Sequence, residues 1–243
     1  IRRVKTRPWV VSPLNVVPKG HNTGKYRVIL DLRYVNGFCA KQKFRMETLS
    51  RRRDMFQPGC WLFSIDITSA YHHIEIAEDD QRYMGFQWGG DFYVFATLPF
   101  GGNYSPWSFT KLSGQIARFL RGRGVQLLHY LDDFLFVCYT REGARVCARF
   151  VARVFTAAGF LLNLNKCVFV PTMRIQSLGF VIDTENYTFG VIPERMERLR
   201  GRLQSLEAAT AEERPVGVRE VACAVGHLMS MMLVFGNTIR TFS

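Results

Sequence analysis

The apolar positions of the first hundred residues fall mostly in short runs and alternations bounded by turn residues, which marks strands rather than helices. Residues 9–18 (WVVSPLNVVP) and 25–33 (KYRVILDLR) predict two strands, with a turn at His21–Gly24 between them. The basic stretch from Lys41 to Arg53 predicts a loop or an exposed helix. Residues 61–67 (WLFSIDI) are apolar almost throughout and predict a buried strand. Thr68-Ser69-Ala70-Tyr71 then predicts a turn into a short helix. Alternation over 82–88 and 92–97 predicts a hairpin around Gly89-Gly90.

Residues 105–121 switch to a helical period. Phe109, Leu112, Ile116, Phe119 and Leu120 share a stripe, with Ser105 as N-cap, Pro106 in the first turn, and Gly122 and Gly124 ending the helix. Residues 126–130 and 134–139 predict the arms of a hairpin with Asp132-Asp133 at its tip. A second helix, 143–158, carries Val146, Phe150, Val151, Val154 and Phe155 on one side and stops at Gly159. Short strands are predicted at 160–164, 167–170, 177–182 and 187–192. From Pro193 the character changes: Met196, Leu199, Leu203 and Leu206 stripe an arginine-rich helix, and a last helix spans 216–235. The pattern is an α+β body with a small helical subdomain appended.

Composition narrows the class. With 243 residues and 48% hydrophobic content the chain buries a sizeable core and is not disordered. No run of about 18 uncharged apolar residues exists, so no membrane partner is expected. Residue 1 is Ile and no targeting signal precedes the first strand, so the chain is expected to be a piece of a longer protein. The 32 Lys+Arg against 20 Asp+Glu give a net charge of +12, which points to a polyanionic partner, nucleic acid first. Six cysteines, at 39, 60, 138, 147, 167 and 223, form no CxxC pair and no zinc-like spacing with histidine. They are expected to be reduced thiols of an intracellular protein.

Against this background three carboxylates stand out. Asp66 lies in WLFSIDI, and Asp132 and Asp133 lie in HYLDDFLFV, each in an apolar setting. A buried lone carboxylate is costly unless paired or bound to a cation. Three of them at strand ends, brought together by neighbouring strands, would suit Mg²⁺ and in-line phosphoryl transfer. On the YLDD stretch alone, a plain hairpin turn with solvated acids accounts for the pair as well.

The Tyr-Leu-Asp-Asp stretch between apolar strands resembles the signature of reverse transcriptases, in which such a hairpin carries metal-binding aspartates. The resemblance is collinear over nearly the whole chain. YRVILDLRYVN (26–36) resembles the finger segment that holds the incoming triphosphate, and FSIDITSAYHHIEI (63–76) the first palm motif. LPFGGNYSPWSFTKL (98–112) resembles the next motif, LNLNKCVF (162–169) the segment carrying a lysine near the phosphates, and SLGFVI (177–182) the primer-grip hairpin. Leu-Pro-Phe-Gly and the finger motif resemble LTR-retrotransposon enzymes. VREVACAVGHLMSM in the last helix resembles tyrosine-recombinase-encoding (DIRS-type) elements, while hepadnaviral and pararetroviral polymerases share much of the pattern.

The resemblance implies a right-hand polymerase: fingers 1–58 and 75–104, palm 59–74 and 105–192 with an antiparallel sheet backed by helices, thumb 193–243. It implies an RNA-directed DNA polymerase moving a nucleotide from a dNTP to a primer 3′-hydroxyl with two Mg²⁺ ions, Mn²⁺ being a possible substitute. Its partners would be an RNA template, a DNA primer or duplex and dNTPs, with DNA templates also used. RNase H or other domains of a polyprotein are expected beyond Ser243.

Residue by residue, Asp66 and Asp132 are implied to bind both metals with the Ile67 carbonyl, and Asp133 to support them. Arg27 and Lys19 are implied to clamp the triphosphate, with Lys25 an alternative to Lys19. Ala70 and Tyr71 would lie at the nucleotide, the Tyr71 ring under the sugar leaving no room for a 2′-hydroxyl. Phe100 stands where retroviral enzymes often carry glutamine, and Gly101 would allow close backbone approach to nucleotide or template. Gly102 and Asn103 depart from the usual wording. Lys166 would protonate or neutralise pyrophosphate, or be a plain turn lysine. Leu178, Gly179 and Phe180 would form the primer grip, and Arg195, Arg198 and Arg202 would contact duplex phosphates, unless they are a solvated helix face. His72 and His73 are read as packing residues. Two other classes compete: a catalytically silent module that keeps the fold to bind nucleic acid, and an RNA-directed RNA polymerase, which Tyr71 disfavours.

Overall fold

The computed structural model describes residues 1–19 and 24–235. Its strands in chain order are β1 (Arg2–Val4), β2 (Leu14–Pro18), β3 (Tyr26–Leu30), β4 (Trp61–Asp66), β5 (Gly85–Trp88) and β6 (Asp91–Val94), then β7 (Gln126–Tyr130), β8 (Asp133–Cys138), β9 (Val168–Thr172), β10 (Arg174–Ser177), β11 (Phe180–Asp183) and β12 (Thr188–Val191). The helices are α1 (Arg33–Phe38), α2 (Ser105–Arg121), α3 (Arg141–Ala157), α4 (Pro193–Ala211), α5 (Val218–Ser230) and α6 (Met232–Phe235).

The apolar segments β4, β7, β8 and β9 form one antiparallel sheet in the order β7-β8-β4-β9. Side chains alternate across it, as the pleat requires. Phe63 and Ile65 of β4 and Phe134 and Phe136 of β8 share one core with α2 and α3. The Phe63 and Phe136 rings stack there at 4.5 Å and 5°. Leu62, Leu128, Leu135 and Val137 belong to a second core with β10–β12. A third core, around Leu30, Leu32, Met84, Phe86 and Phe95, joins β3 to the β1-β6-β5 sheet.

The two helices packed on the central sheet, α2 and α3, bury faces one step away from the predicted stripes. In α2 the buried set is Phe109, Ser113, Ile116, Ala117 and Leu120, while Leu112 and Phe119 are exposed. In α3 it is Ala144, Ala148, Val151 and Phe155, with Val146 and Phe150 outside. The sheet face beneath is already filled by phenylalanines, so small residues on the helices allow close approach and bulky ones turn outward. Ser105 is the first helical residue, not the cap: its hydroxyl donates to the Pro99 carbonyl (3.0 Å), and Tyr104 takes the cap position. α3 has a true cap, Thr140 Oγ1 accepting from Gly143 N (3.1 Å).

Other expectations are corrected locally. Only Leu14–Pro18 of the stretch 9–18 is a strand, Val11 making an isolated bridge to Gly85. The second strand ends at Leu30, because Arg33 already starts α1. The predicted turn falls largely on residues 20–23, outside the described residues. Residues 160–164 hold a single bridge, Leu162 to Ile67, and the last helix breaks at Met231. All six cysteines are unpaired. Among the described residues no helix is long and apolar enough to cross a membrane.

Candidate active site

The carboxylates meet at one end of the central sheet. Asp66 is the last residue of β4 and Asp133 the first of β8, and they stand directly opposite each other in the register. Such a cross-strand pair shares a face, with Cβ atoms about 5 Å apart. Asp132 lies in the two-residue turn Leu131-Asp132, since Tyr130 already pairs with Asp133. The predicted tip is therefore shifted by one residue: Asp133 belongs to the strand and Asp132 to the turn. Leu131 takes a left-handed φ of 53°, where a side chain costs about 1–2 kcal/mol.

Two hydrogen bonds hold that strained turn. Ile67 N donates to the Asp132 carbonyl (3.1 Å), tying the turn to the end of β4. His129 Nε2 lies 3.1 Å from the Leu131 carbonyl and 2.8 Å from Ser113 Oγ, with its ring stacked on Phe134 at 4.4 Å. A carbonyl only accepts, so Nε2 carries the proton. The Ser113 hydroxyl donates to Phe109 O (2.7 Å). Burial pushes the His129 imidazole below its ordinary range, which keeps it neutral in this role. Sequence reasoning missed His129. Its only signal was a lone polar residue in an otherwise apolar arm.

Residues 161–167 brace the same end. Asn163 N donates to the Asp66 carbonyl (2.9 Å), Thr68 N to Leu161 O (2.8 Å), and Asp66 N to Cys167 Sγ (3.3 Å). Lys166 Nζ lies 3.0 Å from Asp66 Oδ2. Burial opposes the Lys166 charge, but the hydrogen bond to Asp66 and the fields of all three carboxylates outweigh it and raise its pKa. Burial raises the Asp132 carboxyl and Asp66 repels it further, partly offset by its own backbone N–H, Lys166 and Arg27. Asp133 is pushed up to about 6, by burial first and then by Asp132 and Asp66. This is the electrostatic signature of like charges crowded without enough counter-charge.

A cleft of about 780 Å³ opens in front of Asp66 and Asp132. Lys19, Arg27, Ile67, Ala70, Tyr71, Phe100 and Lys166 line it as well. Arg27 comes from β3 and lies over the Phe100 ring at 4.6 Å, which in turn meets the Tyr71 ring at 4.9 Å. Burial, then Asp132, raises the Tyr71 hydroxyl pKa. Asp133 instead lines a neighbouring pocket of about 360 Å³ with Asp66, Lys166 and Leu178. Leu178 and Gly179 form the β10–β11 turn, at φ 50° and 80°.

Several predicted site residues sit elsewhere. Gly101, at φ 116°, packs its backbone on the Leu30 carbonyl, so the close approach it allows is to β3. Phe180 is buried in the second core and Gly179 is packed under Arg195. The Arg195 guanidinium donates to Ser230 Oγ (2.7 Å) and Ser230 O (3.1 Å), reaches Gly179 O (3.5 Å) and covers the Phe180 ring at 5.0 Å. It ties the Leu178-Gly179 turn to α4 and α5 instead of facing outward. Arg198 is exposed and Arg202 half-buried on α4. His73 accepts from Leu161 N (3.0 Å) and its ring meets Phe160, a packing role.

Among the described residues no three His, Cys, Asp or Glu side chains converge as a ready metal site. The donor set nonetheless fits a hard divalent cation: carboxylate oxygens only, two of them with raised pKa, and the Lys166 ammonium standing in as the counter-charge on Asp66.

The chain is similar to known proteins over most of its length. The pattern of the family described as "Reverse transcriptase (RNA-dependent DNA polymerase)" matches residues 17–182. A retrovirus-related Pol polyprotein from transposon 297 of Drosophila melanogaster is 25% identical over 174 residues, covering 70% of this chain and 16% of the polyprotein. The Gag-Pol polyprotein of Rous sarcoma virus subgroup B is 26% identical over 219 residues, 82% of this chain and 13% of its own length. The chain thus spans under a fifth of these relatives. The foamy viral protease-reverse transcriptase solved with double-stranded DNA superposes with a TM-score of 0.74 over 94% of this chain and 37% of that one, at 21% identity. That likeness gives the fold as a right-hand polymerase, α+β with antiparallel sheets.

Proposed function

The chain belongs to the reverse transcriptase (RNA-dependent DNA polymerase) family, and on that premise we propose that it is the polymerase core of a retroelement polyprotein, copying RNA, and DNA as well, into DNA from dNTPs. The observation that carries this reading is the register of Asp66 against Asp133 with Asp132 in the adjoining turn, Asp66 and Asp132 lining a cleft that also holds Arg27, Lys19 and Tyr71.

Each residue has a task in that reading. Asp66 and Asp132, with the Ile67 carbonyl, would hold two Mg²⁺ ions, and Asp133 would support Asp66 across the sheet. When bound, the ions supply Lewis acidity at the primer 3′-hydroxyl and charge compensation at the leaving pyrophosphate. Arg27 binds the triphosphate, its guanidinium plane held by the Phe100 ring. Lys19, just past the end of β2, adds a point charge. Tyr71, backed by Phe100 and Phe109, presents a wall to the sugar that excludes a 2′-hydroxyl. Lys166, now on Asp66, is placed to neutralise or protonate pyrophosphate. Leu178 approaches the carboxylates from β10–β11 and places the primer end by shape.

The division into fingers (1–58, 75–104), palm (59–74, 105–192) and thumb (193–243) follows from this reading, as do an intracellular location and RNase H or other domains in the parent polyprotein. The wording of α5 supports a tyrosine-recombinase-encoding type of element. Primer extension tests the function: an RNA template, Mg²⁺, and dNTPs against rNTPs, with Asp132→Asn as control. Extension with dNTPs by the parent chain alone is expected. Duplex binding without extension would make it a silent module, and extension with rNTPs only would make it an RNA polymerase.

A further inference from the structure

Helix α3 carries arginines at 141, 145, 149 and 153, four residues apart throughout, and all four are exposed. At 1.5 Å rise per residue the charges recur every 6 Å or so along about 18 Å of helix. The adjoining face of α3, Ala144, Ala148, Val151 and Phe155, is buried in the core shared with the central sheet. Asp66 and Asp133 lie on the other face of that sheet, since the alternation that sends Ile65 and Phe134 toward α3 sends them away. None of the residues lining the catalytic cleft comes from α3, so the arginine row lies outside that cleft.

The row is not neutralised from within. Arg145 meets Glu142 at 3.6 Å and Arg141 leans on the Trp61 ring at 5.3 Å. Among the described residues Arg149 and Arg153 make no ion pair. Beside the row runs a groove of about 460 Å³ between α3 and β9. It is lined by Glu142, Arg145 and Arg149 and by the apolar Ala148, Phe169 and Val170. β9 is an edge strand of the central sheet, with Val170 72% exposed. An extended peptide adding to that edge would find one ladder donor fewer, because Pro171 has no N–H. Evenly spaced guanidinium groups over an apolar trough instead suit a single-stranded nucleic acid, phosphates on the arginines and bases on the apolar wall.

We propose that the α3–β9 face is a second nucleic-acid surface, which takes a single strand outside the catalytic cleft. The inference does not depend on catalysis, and the Asp132→Asn variant would bind the strand equally well.

The test is binding of a fluorescein-labelled oligo(U), by anisotropy across a salt series, to the wild-type chain and to Arg145→Gln/Arg149→Gln/Arg153→Gln. Each single-strand phosphate contact contributes about 0.7 to the slope of log K on log[salt]. The variant is expected to lose roughly 2 from the slope and at least about tenfold in affinity, with binding of a short blunt primer–template duplex unchanged. An unchanged slope overturns the proposal. So does poly-glutamate of equal charge displacing oligo(U) as well as unlabelled oligo(U) does, which would assign the face to an acidic polypeptide. If the variant does not fold, cross-linking of 4-thiouridine oligo(U) to the wild type decides: adducts within 141–153 or 168–172 are expected, and adducts confined to cleft residues, Asn163 and Lys166 among them, overturn the proposal.

Discussion

The two faces of the central sheet are built from the same strands and end differently. Toward α2 and α3, β4 presents Phe63 and Ile65 and β8 presents Phe134 and Phe136, apolar from one end to the other. On the opposite face β4 reads Leu62, Ser64, Asp66 and β8 reads Val137, Leu135, Asp133. That face is core where β10–β12 cover it and charged where they stop. The helical face supplies the stability that lets the other end keep a group of repelling carboxylates. Fold and site are thus separable: damage to one face should unfold the chain, and damage to the other should silence it without unfolding it.

The largest stability effect is expected on the helical face. Phe136→Ala removes a fully buried ring stacked on Phe63 and should cost about 3–5 kcal/mol in chemical denaturation. Tyr71 stands where the faces meet, half in the core and half in the cleft. Tyr71→Ala should raise rNTP use relative to dNTP by roughly 10- to 100-fold in single-nucleotide insertion, a steric discrimination of the size expected for lost pocket volume. Arg195→Ala should lower stability by about 1–2 kcal/mol, from lost hydrogen bonds of a charged donor. It should also weaken primer binding more than it slows insertion, because the Leu178-Gly179 turn loses its tie to α4 and α5.

The smallest effect has a sign that only the carboxylate end can give. Asp133 holds its proton up to about pH 6 in the folded chain and to about 3.8 when unfolded. Between those values the folded state binds more protons, so this group makes stability fall as pH rises from about 4 to about 6 and leaves it at the lower level above. In chelator-treated protein Asp133→Asn should remove that decline and be the more stable form at neutral pH. His129 works in the opposite direction. Its lowered pKa means stability is lost as pH falls below about 6.5, so the comparison must be the difference between the two chains.

Much of this was legible in the sequence because it rests on local rules. The unbroken apolar runs at 61–67 and 134–139, the helical stripe at 105–121 and the turn residues around 89–90 each settle a nearby conformation. The order of motifs placed Asp66 beside the Asp132-Asp133 pair. What the sequence hid depends on contacts far along the chain. Leu112 and Val146 look like core on a helical wheel, yet the phenylalanine-filled sheet admits Ser113 and Ala148 in their place. Arg195 looks like a solvated thumb residue, yet Ser230, 35 positions on, takes its guanidinium. Gly101 looks like a nucleotide contact, yet the Leu30 backbone fills the space beside it. No local pattern marks Leu131 for a left-handed conformation; His129 and Ile67 impose it from outside the turn.

The separation of fold from chemistry can be tested most directly with Asp132→Asn, read two ways on one preparation at neutral pH. The carboxylate is raised in pKa by burial and by Asp66, so neutralising it should relieve repulsion. The expected result is a melting temperature equal to or above that of the wild type, with dNTP insertion reduced by at least about 10²–10³-fold, the scale of losing one preorganised electrostatic group. Retained insertion, or a melting temperature that falls as far as that of Phe136→Ala, would contradict it.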